Sequence, residues 1–304
     1  MNVNWKGVIP AITTPFDASH RIDDGFLAEH ARWLVGHGCT ALVPIGSLGE
    51  SATLEATEKR KVIETCVNAV GDRVPVIPGI AALCTAEAVS LARDAKAIGA
   101  SGLMILPPYV YSTDWREMKT HVRAVIAASD LPCMLYNNPI AYKTDFVPRQ
   151  IAELARELPN LAAVKESSMD VRRVAAIRAL IGDRLSILCG VDDAIVEAIG
   201  AGAVGWIAGL VNAFPAESLA LFRFAAEGRR DEAFGLYRWF LPLLRMDTVP
   251  KFVQLIKLAQ ERVGMGNARV RAPRLSLEGD ELREANAIIE EALATRPSLK
   301  ADSR

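Results

Sequence analysis

The amino-acid sequence predicts an α/β fold, specifically a (β/α)8 TIM barrel with a C-terminal helical appendage. Eight short apolar runs recur at near-even spacing between residues 7 and 210, and helix-period segments separate them. Residues 226–295 contain no further run of this kind. Continuous hydrophobicity within the runs is typical of parallel strands that are covered on both faces. We therefore expect a barrel domain over residues 1–225 and a helical region over residues 226–304.

The eight strand candidates follow one another in the first two thirds of the chain. They are GVIPAIT (7–13), CTALVPIG (39–46), VPVIPGI (74–80), GLMILPP (102–108), LPCMLYNN (131–138), LAAVKES (161–167), LSILCGV (185–191) and AVGWIAGL (203–210). Eight strand–helix units favour a closed barrel over an open, doubly wound sheet. A dinucleotide-binding fold is further disfavoured because no GxGxxG motif follows the first run.

Helical segments lie between the strand candidates and beyond the last of them. Helical periodicity between strands is clearest in DDGFLAEHARWLVGHG (23–38), TLEATEKRKVIETCVNAVGD (53–72), TAEAVSLARDAKAIGA (85–100) and DVRRVAAIRALIGD (170–183). The appendage is expected to consist of RRDEAFGLYRWFLPLLRM (229–246), VPKFVQLIKLAQERVGM (249–265) and EGDELREANAIIEEALA (278–294). Glycine ends several of the segments between strands, as a helix stop signal does.

The composition excludes several classes of protein. Lys and Arg total 35 and Asp and Glu total 36, a net charge of −1, whereas a protein that binds nucleic acid through phosphates carries a basic excess. The apolar runs are strand-sized and interrupted by Gly, Pro or charge, so we expect no membrane span. The N-terminal residues show no basic-then-apolar signal pattern, and the cytoplasm is therefore the expected compartment.

The most informative residue is a lysine at the end of a strand candidate, where barrel active sites lie. Lys165 follows LAAV in the sixth run. Burial disfavours the ammonium form of a lysine, and a free amine can attack a ketone to form a Schiff base. The alternative is a lysine whose amine reaches the barrel mouth and pairs there with a carboxylate.

The second strand candidate ends in GSLGE, residues 46–50. Two glycines let the backbone approach a ligand closely, and exposed amides at such a turn can bind an anion. Ser47 adds a hydroxyl donor, so a small carboxylate fits here, whereas a phosphate is disfavoured because the Walker lysine is missing. A plain turn between a strand and a helix is the alternative.

Other polar residues end the neighbouring strand candidates. The hydroxyl of Tyr136 can shuttle protons beside an imine on Lys165, although a core tyrosine would occupy the same position. Asp192 and Asp193 can bind substrate hydroxyls, but we favour a helix cap for the segment AIVEAIG that follows them. The four histidines form no HxxxH or HExxH pair, so no metal site is expected.

In its motifs the sequence resembles the dihydrodipicolinate synthase / N-acetylneuraminate lyase family of Schiff-base-forming barrel enzymes. The resemblance spans essentially the whole chain and is carried by GSLGE, YNNP (136–139), KES (165–167) and GVDD (190–193). It implies that Lys165 forms an imine with pyruvate or another 2-oxo acid and that Tyr136 shuttles protons. It implies that Ser47 and the amide of Leu48 hold the substrate carboxylate, without any metal or cofactor, in a homotetramer. Further substrate contacts are expected from Gly190, Asp192 and Ile207.

Departures from the synthase pattern indicate a different branch of this family. Ala141 stands where the synthase has an arginine that binds its second substrate, and Leu48 replaces the second hydroxyl residue of the turn. After the fourth strand, Val110 stands at the second position of a double tyrosine, with Tyr111 displaced by one. Synthase activity is therefore the less favoured reading. YNNP, DTVPKFVQLIKLAQ (247–260) and VRAPRL (270–275) resemble the branch that deaminates hydroxylated pyrroline carboxylates.

Deamination of 1-pyrroline-4-hydroxy-2-carboxylate is accordingly the expected reaction. A pyruvate-dependent aldolase and a dehydratase of 2-keto-3-deoxy sugar acids are alternatives on the same barrel. A metal-dependent aldolase would need a His, Asp and Glu cluster at the strand ends, yet no histidine ends a strand candidate. The non-enzymatic alternative is a sugar-acid sensor, which would tend to lose Lys165 or Tyr136.

Overall fold

A parallel β-sheet of seven regular strands forms the centre of the molecule. The computed structural model describes residues 3–108 and 114–299. In that part of the chain the strands are β1 (Gly7–Pro10), β2 (Gly79–Ile80), β3 (Leu103–Ile105), β4 (Cys133–Asn137), β5 (Leu161–Glu166), β6 (Ser186–Cys189) and β7 (Gly205–Ala208). Their order is β1-β7-β6-β5-β4-β3-β2, and every pairing is parallel.

The predicted second strand closes the barrel without forming a regular strand. Residues 39–46 lie between β1 and β2 and are joined to them by isolated parallel bridges, Ala11 to Val43 and Leu42 to Val76. Prolines at positions 10, 44, 75 and 78 lack the amide hydrogen that a continuous ladder requires. The prediction of a (β/α)8 barrel is thus confirmed, with its second strand reduced to short contacts.

Helices surround the sheet and follow the strands as predicted. They are α1 (Asp24–His37), α2 (Ala56–Val70), α3 (Thr85–Ile98), α4 (Trp115–Ile126), α5 (Pro139–Tyr142), α6 (Pro148–Glu157), α7 (Arg172–Ile181), α8 (Ile195–Gly200) and α9 (Pro215–Ala226). Gly38 and Gly99 end α1 and α3 in the left-handed conformation, which glycine adopts at no steric cost. The one-turn helix α5 follows β4 directly and carries part of the candidate site.

Three further helices make up the C-terminal region, namely α10 (Arg230–Leu244), α11 (Phe252–Arg262) and α12 (Gly279–Ala294). Their apolar faces join the same buried core as the barrel, to which Phe240, Val253 and Ile289 belong. A short 3-10 turn, Arg245–Thr248, connects α10 to α11 and brings this region to the barrel mouth. Among the described residues, no helix is long and apolar enough to cross a membrane.

Candidate active site

Lys165 and Tyr136 are direct neighbours in the sheet, as their strand positions predict. Tyr136 of β4 pairs with Lys165 of β5, and residues in register on adjacent parallel strands point to the same face. The Lys165 Nζ atom lies 4.1 Å from the centre of the Tyr136 ring. Both side chains are at least nine-tenths buried and line one cavity of about 460 Å³ at the strand ends. The structure therefore brings the two predicted reactive groups together.

The residues that follow them in each strand point to the other face. Asn137 donates a hydrogen bond from Nδ2 to Glu166 Oε2 over 3.1 Å, and its Oδ1 accepts from the Phe146 amide over 2.9 Å. Glu166 also accepts from the Ser168 amide over 2.7 Å, and burial raises the pKa of its carboxyl. These bonds connect the ends of β4 and β5 and so hold Lys165 and Tyr136 in register.

Gly190, at the end of β6, leaves the space through which the lysine side chain passes. A Cβ atom on Gly190 would lie 2.4 Å from Lys165 Cε and 2.0 Å from Ser167 Oγ, well inside van der Waals contact. The Ser167 hydroxyl is buried at the cavity wall and has no hydrogen-bond partner in the described part of the chain. Gly190 thus serves the placement of Lys165, and contact with a substrate remains a prediction for it.

The Tyr136 hydroxyl is positioned by the turn that follows β4. Asn138 donates to Tyr136 Oη over 3.0 Å, while its Oδ1 accepts from the Ala141 amide and caps α5. Tyr142, at the end of α5, packs edge-on against the Tyr136 ring at 5.7 Å and shares a hydrogen bond with the Ser47 hydroxyl. Tyr142 was not among the sequence-predicted site residues, because a four-residue helix has no periodicity that assigns its faces.

The GSLGE turn forms part of the cavity wall through Gly46, Ser47 and Leu48. Within the described residues, the amides of Ser47, Leu48 and Gly49 have no hydrogen-bond partner. Gly49 is required by the tight packing, since a Cβ there would lie 3.0 Å from Ile45 N and 3.1 Å from Ile12 O. Ser47 and Leu48 both line the cavity. Unpaired amides beside a hydroxyl form a site to which a carboxylate can bind.

Asp192 has a structural position that its place in the sequence did not indicate. Its carboxylate is fully buried, is absent from the cavity wall, and accepts from Trp206 Nε1 and the Leu210 amide, each over 2.8 Å, and from the Gly209 amide over 3.1 Å. Burial raises its pKa to about 6. Neither Asp192 nor Asp193 caps α8, so the favoured cap interpretation is wrong. Asp192 instead joins the ends of β6 and β7, and substrate binding by it remains a prediction.

The remaining walls of the cavity come from β7 and the C-terminal region. Ile207 and Leu48 line the cavity, and their contact with a substrate remains a prediction. Asp247 of the 3-10 turn and Arg274, which lies between α11 and α12, add two ionisable side chains that sequence patterns did not assign to the site. Val110 and Tyr111 lie outside the described residues. In the part of the chain that is described, no three His, Cys, Asp or Glu side chains are grouped closely enough to hold a metal ion.

Comparison with known proteins identifies the family. The sequence model of the dihydrodipicolinate synthetase family matches residues 4–292. The chain belongs to this family. Two similar relatives are 4-hydroxy-tetrahydrodipicolinate synthases: that of Geotalea daltonii is 34% identical over 88% of this chain and 92% of the relative, and that of Methanosphaerula palustris is 33% identical over 96% and 99%. The protein is accordingly an enzyme of the class I lyase type that this family comprises.

Solved structures of the dihydrodipicolinate synthetase family share the fold. The dihydrodipicolinate synthase from Aquifex aeolicus superposes with a TM-score of 0.90 at 29% identity, covering 94% of this chain and 97% of its own. The synthase from Acinetobacter baumannii, solved with pyruvate, gives a TM-score of 0.90 at 26% identity, covering 95% and 99%. The match extends over the barrel and the C-terminal helices alike, so the family fold includes both.

Proposed function

We propose that this protein forms a Schiff base between Lys165 and a small 2-oxo acid or cyclic imino acid, and that its reaction is the deamination of 1-pyrroline-4-hydroxy-2-carboxylate. The observation that carries the first part is the environment of Lys165. Its amine is buried beside a tyrosine ring in a cavity, and it has neither a carboxylate nor a carbonyl partner among the described residues. A lysine held in this way is available as a nucleophile.

The substrate carboxylate binds at the GSLGE turn in this proposal. The hydroxyl of Ser47 and the amide of Leu48, which has no described hydrogen-bond partner, supply the donors for it. A carboxylate bound there lies in the same cavity as the Lys165 amine, so carbon 2 of the substrate, which bears the carboxylate, faces the nucleophile. The Acinetobacter baumannii relative, solved with pyruvate, supports a 2-oxo acid as the kind of ligand that this cavity accepts.

The chemistry of the deamination follows from these positions. Lys165 attacks carbon 2 of the cyclic imine and displaces the ring nitrogen, which leaves a linear imine with a free amino group at carbon 5. Tyr136 gives its proton to the departing ring nitrogen and then, as the phenolate, takes a proton from carbon 3, and the hydroxyl on carbon 4 departs as water. After the double bonds shift toward carbon 5, hydrolysis at carbons 2 and 5 releases a 2-oxo acid semialdehyde and ammonia. One water is consumed overall.

Two measurements test the proposal. Borohydride reduction in the presence of pyruvate, and separately of hydroxypyrroline carboxylate, should attach each ligand to the peptide that contains Lys165. Purified protein should release ammonia from hydroxypyrroline carboxylate. An adduct without ammonia release would retain the imine mechanism and reject the deaminase assignment, whereas the absence of any adduct with a panel of 2-oxo acids would reject the mechanism itself.

A second candidate is 4-hydroxy-tetrahydrodipicolinate synthase activity, the name that both sequence relatives carry. Ala141 occupies the position of the synthase arginine, but the cavity contains another guanidinium, that of Arg274, whose Nη1 lies 3.8 Å from Glu50 Oε2. Such a group can bind a second carboxylate. Formation of the dicarboxylate ring from pyruvate and a four-carbon amino aldehyde acid, lost in Arg274→Met, would favour the synthase.

We also propose a homotetramer, as the family resemblance implies. Light scattering on the purified protein should give a mass about four times that of the 32.9 kDa chain. A monomeric mass would reject this part of the proposal and leave the chemistry of the cavity unaffected.

A further inference from the structure

One carboxyl group in the cavity has no function in the steps above. Asp247 lies in the 3-10 turn Arg245–Thr248 and lines the same cavity as Lys165 and Tyr136. It is partly buried, yet within the described residues it accepts no hydrogen bond and joins no ion pair. Other partly buried aspartates do have partners, as Asp145 has Arg173 at 2.6 Å. An unpaired acid in a reactive cavity is therefore a candidate for chemistry.

The carboxyl of Asp247 is held over the end of β7. A Cβ atom on Gly209 would lie 2.0 Å from Asp247 Oδ1, so the carboxyl occupies the space that only a glycine leaves open at this position. Gly209 itself lines the cavity, and its amide donates to Asp192. This contact places Asp247 beside the barrel mouth although it belongs to the C-terminal region.

The charges around Asp247 favour its protonated form. Burial contributes most to raising its pKa well above the usual range, and the nearby carboxylates of Asp192 and Asp193 raise it further, while the Lys165 ammonium opposes them. Asp192 accepts hydrogen bonds from three donors and is not part of the cavity wall, whereas Asp247 lines it. Of these two acids, Asp247 is thus the one that can carry a proton and reach a ligand in the cavity.

We propose that Asp247 is the acid that protonates the departing hydroxyl on carbon 4 of the substrate. The inference rests on the proposed function, because only a substrate with a hydroxyl two carbons from the imine carbon needs this proton. The proton on carbon 3 passes to Tyr136, and the electron pair of that carbon–hydrogen bond forms the carbon 3–carbon 4 double bond. The carbon 4–oxygen bond breaks with its electron pair on oxygen, the Asp247 proton completes the water, and a carboxylate remains.

This role divides the two proton transfers between two elements of the cavity. Tyr136 is fixed over the Lys165 amine and serves carbon 3, next to the imine. Asp247 approaches from β7 and the C-terminal region and serves carbon 4, one bond farther from Lys165. An acid separate from the base lets the elimination proceed without the same hydroxyl first taking and then giving a proton. Simple imine formation with pyruvate does not involve Asp247.

The test compares Asp247→Asn with Asp94→Asn in the full chain. Asp94 is a matched control because it is a partly buried aspartate of α3 that pairs with Arg60, outside the cavity. Ammonia release from hydroxypyrroline carboxylate should fall about 10²–10⁴-fold in Asp247→Asn, the usual effect of losing a general acid, and stay unchanged in Asp94→Asn. Borohydride trapping with pyruvate should match wild type in both variants.

The mass of the trapped adduct separates the steps. With hydroxypyrroline carboxylate, Asp247→Asn should accumulate an adduct on Lys165 that is heavier by one water than the later adduct of the wild type. In the wild type, the fall of activity at alkaline pH should follow ionisation of Asp247. Unchanged ammonia release in Asp247→Asn would overturn the inference, as would loss of trapping with pyruvate, since the residue would then act before the elimination.

Failure of the proposed function gives a different result. If wild-type protein traps hydroxypyrroline carboxylate but releases no ammonia, the same two variants are assayed for water loss from a 2-keto-3-deoxy sugar acid, which also carries a hydroxyl on carbon 4. Loss of this dehydration in Asp247→Asn alone would retain the role of the residue and replace the substrate. Wild-type protein that eliminates water from neither compound would overturn the inference together with the deaminase assignment.

Discussion

Lys165 and Lys257 are the two buried lysines among the described residues, and their surroundings differ. Each amine lies over an aromatic ring, Lys165 Nζ at 4.1 Å from Tyr136 and Lys257 Nζ at 4.3 Å from Phe16. Lys257 pairs with Glu50 at 2.5 Å and donates to the Arg269 carbonyl over 2.7 Å, whereas Lys165 has no such partner among the described residues.

Burial alone does not identify a reactive lysine. Lys257 connects α11 to the GSLGE turn through its ion pair with Glu50. Glu50 also accepts a hydrogen bond from the Arg271 amide over 3.1 Å, which adds a second link to the C-terminal region. Its charge is used to hold the C-terminal region on the barrel. The Lys165 amine has no hydrogen-bond acceptor among the described residues, and its side chain lines the cavity. The number of hydrogen-bond and ion-pair partners therefore distinguishes the structural lysine, Lys257, from the proposed nucleophile, Lys165, better than burial does.

Removing the amine of Lys165 should have the largest effect. In Lys165→Met, turnover should fall at least about 10⁴-fold and borohydride trapping should disappear, because no other described lysine lines the cavity. Thermal unfolding should occur at or above the wild-type temperature, since an unpaired buried polar group is replaced by an apolar one. A variant that still traps pyruvate would contradict the assignment of the nucleophile.

Removing the Tyr136 hydroxyl should slow proton transfer and leave the amine in place. We expect turnover of Tyr136→Phe to fall about 10²–10⁴-fold while the Lys165 adduct with pyruvate still forms, as mass spectrometry can show. Asn138→Ala is the graded control, since it removes one donor to that hydroxyl, worth about 1 kcal/mol, and should cost roughly 5-fold. If turnover fell equally in Tyr136→Phe and Asn138→Ala, the proton-transfer role of the Tyr136 hydroxyl would be contradicted.

Removing the amine of Lys257 should affect stability instead. Lys257→Met leaves Glu50 as a buried carboxylate without its ammonium partner, which should lower the free energy of unfolding by about 3–5 kcal/mol. Chemical denaturation followed by circular dichroism measures the change. The double variant Glu50→Gln/Lys257→Met should recover most of the loss, and failure to recover would show that the pair does more than neutralise itself.

His30, a buried base outside the cavity, should make the stability of the protein depend on pH. His30 donates from Nε2 to the Asn212 carbonyl over 3.0 Å, its Nδ1 has no described partner, and burial lowers its pKa to about 4. The unfolded chain, with a histidine pKa near 6.5, binds the proton more readily, so stability is lost as pH falls from 6.5 to 4. The expected loss is about 3 kcal/mol, and His30→Gln should flatten that dependence in denaturation curves.

The barrel and its central pair of residues are predictable from the sequence for a physical reason. Parallel strands end at one edge, so YNNP and KES at consecutive strand ends place Tyr136 and Lys165 together. The sequence predicts a full second strand because its apolar residues indicate burial. The prolines at 44 and 75, however, have no amide hydrogen to donate to a neighbouring strand. Apolar composition therefore predicts which segments are buried, but a regular strand also needs a backbone amide that can donate at each paired position.

The residues that the sequence pattern missed lie on segments without a period. Asp247 stands in a single 3-10 turn and Arg274 in a loop, and neither position has a neighbour pattern that specifies a face. Tyr142 lies on a helix of one turn. Asp192 shows the converse, since an acid after a strand suggested a cap or a ligand, while tertiary structure placed the Trp206 indole and two amides around it.

The 3-10 turn between α10 and α11 has a consequence for how such an enzyme can change. Asp247, Thr248 and Val249 line the far wall of the cavity, yet they belong to no barrel strand and take no part in the Tyr136–Lys165 register. Substitutions in this turn can therefore reshape this part of the cavity while the pairing of Tyr136 with Lys165 stays unchanged. Single substitutions in this turn can therefore change substrate specificity during evolution without altering Lys165.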